Sequence, residues 1–234
     1  MTKALPAGQR AINHLPRFGL TKFANRIPDA PKEVTIDIGG DVLESVTLTT
    51  HFEGLDRLDV VSDFHCVTTW TKRNVNWSGY SFTDFYEKLV LTLARPMPSA
   101  KFVVFKGQDG YRVGMRLEDL LAPGVLLADS LEGQLLPLAH GAPLRLVAPE
   151  HYGYKCAKHI TRIEFWCKEH AYQPAAFKFM DHPRACVEYE ERGTVVPGWV
   201  LRWLYRPLIK STERKFEEGL AAHLSASEKV RDLS

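Results

Sequence analysis

The chain has 234 residues, 45% of them hydrophobic and 25% charged, with 30 Lys and Arg against 28 Asp and Glu for a net charge of +2. These proportions exclude collagen-like and disordered chains and leave room for a sizeable core; so even a balance forms no concentrated basic stripe, and no nucleic-acid partner is expected. The four cysteines are too scattered for a disulfide scaffold, and the chain shows neither an apolar run of ~18 residues nor a leader's apolar stretch, so reduced thiols, a cytoplasmic location and no stable membrane insertion are expected.

In chain order, residues 1–33 are rich in proline, arginine and small side chains and read as an N-terminal arm. Residues 34–38 alternate as a half-buried strand should, with Gly39-Gly40 as a turn. Residues 42–49 and 59–64 are further strand-like runs, the second ending at His65-Cys66. Ser81 or Thr83 can cap a helix whose Phe82, Phe85, Tyr86, Leu89 and Leu93 recur at spacings of three and four. Residues 101–106 and 111–115 read as strands around a Gln108-Asp109-Gly110 turn, and 117–121 as a helical turn. Residues 125–128, 144–147 and 161–166 read as strands again. Short strands with a few inserted helices fit one α+β domain over 34–196, with mixed and antiparallel sheets, and not a regular βαβ fold. Residues 197–234 interleave Trp199, Leu201, Trp203, Leu204, Leu208 and Ile209 with Arg202, Arg206, Lys210, Arg214 and Lys215. A helical extension packed on the domain by its aromatic side fits this pattern; so does a basic aromatic face for a membrane surface or a partner.

Three groups of residues can carry chemistry. Cys66 follows an apolar strand and fits either a small buried hydrophobe or a ligand. Lys155 and Lys158 are three apart, so in a tight turn both ammonium groups can reach one anion, and glycines at 141 and 153 allow close backbone approach; ordinary surface lysines fit the spacing as well. Cys156-x-x-His159 and Cys167-x-x-His170 form two pairs of zinc-type ligands, but the strand-like stretch between them would hold them at opposite ends.

The segments Asp63-Phe-His-Cys66-Val-Thr-Thr-Trp70, Trp77-Ser-Gly-Tyr-Ser-Phe, Asp109-Gly-Tyr111, Gly124-Val-Leu-Leu-Ala128, Leu136-Pro-Leu-Ala-His140-Gly-Ala-Pro-Leu-Arg145 and Tyr152-Gly-Tyr-Lys155-Cys-Ala-Lys158 occur in that order. As a set they resemble the molybdopterin-binding domain of the sulfite oxidase family, over about residues 34–166. That family includes sulfite oxidases, plant nitrate reductases and the catalytic subunit of periplasmic methionine sulfoxide reductase. The resemblance implies a mostly β, mixed α+β sulfite-oxidase-type fold and one molybdenum held by a single molybdopterin. It implies Cys66 as the protein's metal ligand, a role for which a soft thiolate is suited. It implies pterin and phosphate contacts at His140, Arg145, Lys155, Cys156, Ala157 and Lys158, with Gly107 near the cofactor. Asn13-His14-Leu-Pro16 resembles a family stretch that touches the pterin, with Ile12 where the family has Arg. Thr69 stands where many relatives have Gly, and Asp129 where sulfite oxidases carry an active-site Tyr.

The expected protein is therefore a monomeric molybdenum oxidoreductase that transfers an oxygen atom to or from a small molecule and exchanges electrons with a separate protein. An ionised Asp129 beside the metal would repel sulfite, and a protonated one would be an acid, so a sulfoxide or N-oxide is the expected substrate. The alternatives are a zinc module on Cys156, His159, Cys167 and His170, and a cofactor-free scaffold.

Overall fold

The structure, a computed structural model, describes residues 4–28, 35–49 and 51–231. Parts of the expected arm (1–3 and 29–33), Val34 of the first expected strand and the last three residues of the tail lie outside the described residues. Strand β1 is Arg10–Ile12, β2 Thr35–Gly40, β3 Val46–Thr49, β4 Arg57–His65 and β5 Trp70–Ser81. A helical turn, α1 (Phe82–Asp84), runs into a wider π-type helix over Phe85–Ala94. Then come β6 (Phe102–Gly107), β7 (Arg112–Arg116), α2 (Leu117–Leu120), β8 (Leu126–Leu131), β9 (Gln134–Leu135), β10 (Arg145–Val147) and β11 (Ile160–Trp166). The chain closes with α3 (Gly198–Tyr205) and α4 (Ile209–Arg231), joined by a 3₁₀ turn over Arg206–Leu208.

The first sheet is built around β5, which pairs with β4 along one edge and with β1 and β8 at the two ends of the other; β8 carries β9 and β10. The second sheet runs β3-β2-β11-β6-β7, with β2 and β11 parallel. One buried cluster draws on both sheets, joining Ile36, Ile38, Phe105, Met115, Ile163 and Phe165 to Tyr80, Leu127 and Leu146. This α+β architecture of mixed sheets is the class expected.

Several elements differ from the sequence reading. Gly39 and Gly40 are not a turn: they extend β2 beside β11, and a Cβ on Gly40 (φ +93°) would sit 2.4 Å from the Phe165 carbonyl oxygen. Part of the expected arm, β1, joins the first sheet. Strand β5 was hidden by its own irregularity. Asn74 is left-handed at φ +50°, its N–H takes the Asp63 carboxylate (3.0 Å), and the pairing with β4 slips between Ser62 and Phe64. Such a bulge breaks the period of two. The helix after Ser81 is capped as expected, with Ser81 Oγ accepting from Asp84 N–H at 3.4 Å. It then widens and closes with Arg95 N–H on the Val90 carbonyl, so Val90 and Ala94 are buried where Leu93 was expected.

Candidate active site

Cys66 lies in the short turn between β4 and β5. Its N–H donates to the Trp70 carbonyl (2.8 Å), and Thr69 N–H donates to the Cys66 carbonyl (3.1 Å). Thr69 closes the turn at φ +84°, a conformation that suits glycine and strains a β-branched residue. From the arm, Gln9 Nε2 donates to the Cys66 carbonyl (3.0 Å) while its Oε1 accepts from Thr71 (3.1 Å). The thiol is buried beside Trp70 and Ile209 of α4, 3.1 Å from Thr68 Oγ1. Burial pushes it up to about 11, against the Thr68 hydrogen bond and the positive charges of Arg192 and Lys158. A metal would ligate it by displacing that proton.

A buried cation cluster stands next to this turn. Arg145 opens β10 and is 1% exposed. Its guanidinium lies over Trp77 (4.7 Å) and Phe64 (5.4 Å), and Nη1 donates to the His140 carbonyl (2.9 Å). Its Nη2 is buried with no partner among the described residues. Gly141 at φ +108° folds the His140 loop against Lys158, whose Nζ donates to the Ala139 carbonyl (3.2 Å). At the end of β6, a Cβ on Gly107 would lie 2.5 Å from the Lys158 carbonyl oxygen and 2.7 Å from Asp109 Oδ1, so glycine lets these loops close. Arg17 of the arm adds a further cation, held by the carbonyls of Ala24 (2.7 Å) and Phe216 (3.0 Å).

The charges of this cluster work against one another. Burial first, then Arg145 and Arg17, bring the Lys158 ammonium down to about 7. Burial, then Lys158 and Arg145, bring His140 down to about 3, so it is a neutral imidazole. Burial lowers Arg145 to about 10. The carboxylate that offsets these cations is Asp109, itself raised by burial. Crowded cations with an unmet buried N–H fit an anionic group such as a phosphate, which would supply both charge and acceptors. Beside a buried thiol, that donor set suits a soft metal carried on a phosphorylated organic cofactor.

Most of the remaining expected site residues stand elsewhere. Lys155 does not share an anion with Lys158: its buried ammonium is taken by the Gly114 carbonyl (2.9 Å) and Asp181 (3.1 Å). Cys156 and Ala157 are in the core with both backbone N–H groups bonded to carbonyls of the same loop, and the Cys156 thiol borders the cation cluster, beside the Arg145 guanidinium. His14 is exposed on the arm and meets Glu213 of α4 at 2.9 Å. Asp129 is tied to Arg57 at 2.7 Å and to Ser130 at 2.7 Å. Arg57 starts β4 and Cys66 follows its end, a separation of roughly 25–30 Å, so Asp129 faces away from the thiol's end of the sheet. The zinc reading also fails. Strand β11 separates the two Cys/His pairs, His159 Nδ1 donates to the Ala142 carbonyl (2.7 Å), and Cys167 is exposed near Ser99. Among the described residues no group of three or more His, Cys, Asp or Glu is placed to hold a metal.

Two residues of the site carry no local sequence signal. Arg192 is fully buried; it donates to the carbonyls of Val67 and Ala7, pairs with Glu190 (3.1 Å) and stacks on Tyr152 (4.8 Å). Tyr205 of α3 is buried close enough to Cys66 and Arg192 to feel the charge of both. Val67 and Ala7, which Arg192 holds, and Cys66, near Tyr205, are more than 100 residues earlier in the chain, and only the folded structure brings them together.

Residues 24–173 match the family of the oxidoreductase molybdopterin binding domain. The protein-methionine-sulfoxide reductase catalytic subunit MsrP of Xanthomonas axonopodis pv. citri is 30% identical over 187 residues, covering 68% of this chain and 56% of that protein. The oxidoreductase YuiH of Bacillus subtilis is 34% identical over 114 residues, covering 49% of this chain and 55% of that protein. The chain thus spans a little over half the length of these relatives. The sulfane dehydrogenase SoxCD of Paracoccus pantotrophus shares the fold, with a TM-score of 0.51 at 21% identity, over 61% of this chain and 40% of that one. Because Cys66, Arg145 and Lys158 all fall within the matched span, the chain belongs to the molybdopterin-binding oxidoreductase domain family, with the sulfite-oxidase-type α+β fold.

Proposed function

We propose that this protein, loaded with one molybdenum–molybdopterin, reduces a neutral sulfoxide: R₂S=O, two electrons and two protons give R₂S and water. The observation that carries the reading is a cavity of about 50 Å³ next to the Cys66 turn, lined by Val67, Tyr111, Tyr154, Tyr172, Met180 and Tyr205. Apolar and aromatic walls favour the carbon skeleton of a sulfoxide over a small oxyanion. Relatives that are methionine sulfoxide reductases support the same substrate class.

When bound, the cofactor supplies a two-electron couple that exchanges an oxygen atom. Cys66 is its thiolate ligand, and Arg145, Lys158 and Arg17 hold its phosphate end, with Gly107 and Gly141 keeping the loops close. Tyr205 is the proton donor that the sequence reading sought at Asp129. Two other phenols of the cavity already donate, Tyr111 to the Tyr154 carbonyl (2.6 Å) and Tyr172 to the Arg112 carbonyl (3.3 Å), while the Tyr154 hydroxyl oxygen accepts from His182 N–H (3.0 Å). The Tyr205 hydroxyl takes part in none of these bonds. Burial raises it, so it is a neutral donor at neutral pH. Electrons come from a separate redox protein.

The reading is tested by assaying the molybdenum-loaded protein for reduction of methionine sulfoxide and a dialkyl sulfoxide with a reduced viologen, and for sulfite oxidation. Sulfoxide turnover with near-stoichiometric molybdenum is expected. Sulfite oxidation without sulfoxide turnover would overturn it.

A further inference from the structure

The helical pair α3–α4 has two unlike sides. Leu201, Tyr205, Ile209, Thr212 and Phe216 are buried against the domain. Stepping ~100° per residue, the opposite side carries Trp199 and Trp203, with Leu204 and Leu208 on the flank between the two sides. These four are 63%, 74%, 51% and 54% exposed. Two neighbouring indoles left in water are unusual on a soluble surface and mark a contact site. Glu190 stands beside Gly198 and meets Arg202 (3.6 Å), but along the helical stretch itself the exposed charges are basic. Arg206, Lys210, Arg214 and Lys215 are exposed on the same stretch, while Glu213, the single acidic residue between 197 and 215, already meets His14. Beyond Lys215 the charges balance, as in the Arg214–Glu218 pair.

We propose that this outward side, α3 with the first turn of α4, docks on a membrane surface by binding anionic phospholipid headgroups. Tryptophan is suited to the headgroup boundary, where its ring is dehydrated and its N–H stays among polar groups. Arg and Lys lay their stems along the apolar zone and keep their charges at the phosphates. Among the described residues no helix is long and apolar enough to cross a membrane, and a short helix with an apolar edge and basic flanks lies in the surface plane instead. The buried side of the helical pair carries Tyr205 and Ile209, the latter packed with Cys66, so docking leaves that contact intact. The proposal does not depend on the substrate assigned above.

The test is co-sedimentation of the full-length, cofactor-loaded protein with vesicles of phosphatidylcholine and phosphatidylglycerol in equal parts, against pure phosphatidylcholine. Binding to the anionic vesicles, a blue shift of tryptophan emission and loss of binding in high salt are expected. Trp199→Ser with Trp203→Ser should weaken binding at least about tenfold, and Arg206→Glu should weaken it about fivefold or more. All three side chains are exposed, so the thermal midpoint of the variants should match that of wild type. Equal binding to both vesicles, or to neither, overturns the proposal. A concentration-dependent dimer that Trp203→Ser abolishes, without vesicle binding, also overturns it and assigns the face to a second copy of the chain.

Discussion

At the scale of single residues, Tyr205 and Asp129 trade the role that position in the sequence suggests. Asp129 spends its carboxylate on Arg57, so Asp129→Asn should leave sulfoxide turnover within about twofold. Tyr205→Phe removes one hydroxyl from the cavity and should lower kcat by about 10²–10³ while molybdenum content stays at the wild-type level; unchanged kcat would remove Tyr205 from the chemistry. Lys158 makes a different kind of prediction. Its ammonium sits at about 7 among Arg145, Arg17, Asp109 and Cys156, whereas an unfolded lysine holds its proton to about 10.4. Between those values the unfolded chain binds more protons than the folded one, so stability rises with pH there and is flat with respect to this group below it. Protein made without cofactor should therefore show a urea midpoint that climbs from pH 7 to pH 9, below the range in which the buried thiols titrate. Lys158→Met should flatten the climb. Lys158→Ala and Arg145→Ala should each purify with about tenfold less tightly held pterin, since a charge-assisted contact contributes roughly 1.5–3 kcal/mol.

At the scale of elements, glycines decide how closely the loops approach. Gly107→Ala forces a methyl onto the Lys158 carbonyl and Asp109. It should destabilise by about 1–3 kcal/mol and loosen the cofactor as well, measured by thermal midpoint and pterin release. Most strands were legible, because 102–106, 112–115, 145–147 and 161–166 alternate or run apolar without interruption. Strand β5 was not, because Asn74 breaks its period, and Gly39-Gly40 read as a turn because a parallel partner at Phe165 cannot be seen locally. The candidate site was legible in the same uneven way. Cys66, His140, Arg145 and Lys158 stand in contiguous motifs and come together. Lys155 has the right spacing and the wrong direction, since Asp181 draws its ammonium inward. Arg192 and Tyr205 act across the chain, and nothing near them in sequence marks them out.

At the scale of the whole molecule, the segment from 174 onward is a cover for the Cys66 turn. Ile209 packs on it, Tyr205 lines one cavity with Val67 of the turn, and Arg192 joins Val67 to Ala7 of the arm. Arg192→Met leaves those carbonyls without their donor and Glu190 with Arg202 alone (3.6 Å). A loss of about 3 kcal/mol is expected, together with faster alkylation of Cys66 in cofactor-free protein; an unchanged alkylation rate would mean that the cover is held by other contacts.

The order in which the chain is made gives this cover a temporal meaning. Ala7 and Cys66 leave the ribosome long before Arg192, Tyr205 and Ile209, so the nascent domain presents an open thiol turn and unpaired cations to solvent. Contacts spanning most of the chain form late and slowly. Cofactor is therefore expected to enter most readily during that interval, before α3 and α4 dock. Protein synthesised while molybdopterin is scarce should close empty and load sluggishly afterwards, a delay that pulse labelling followed by cofactor addition would measure.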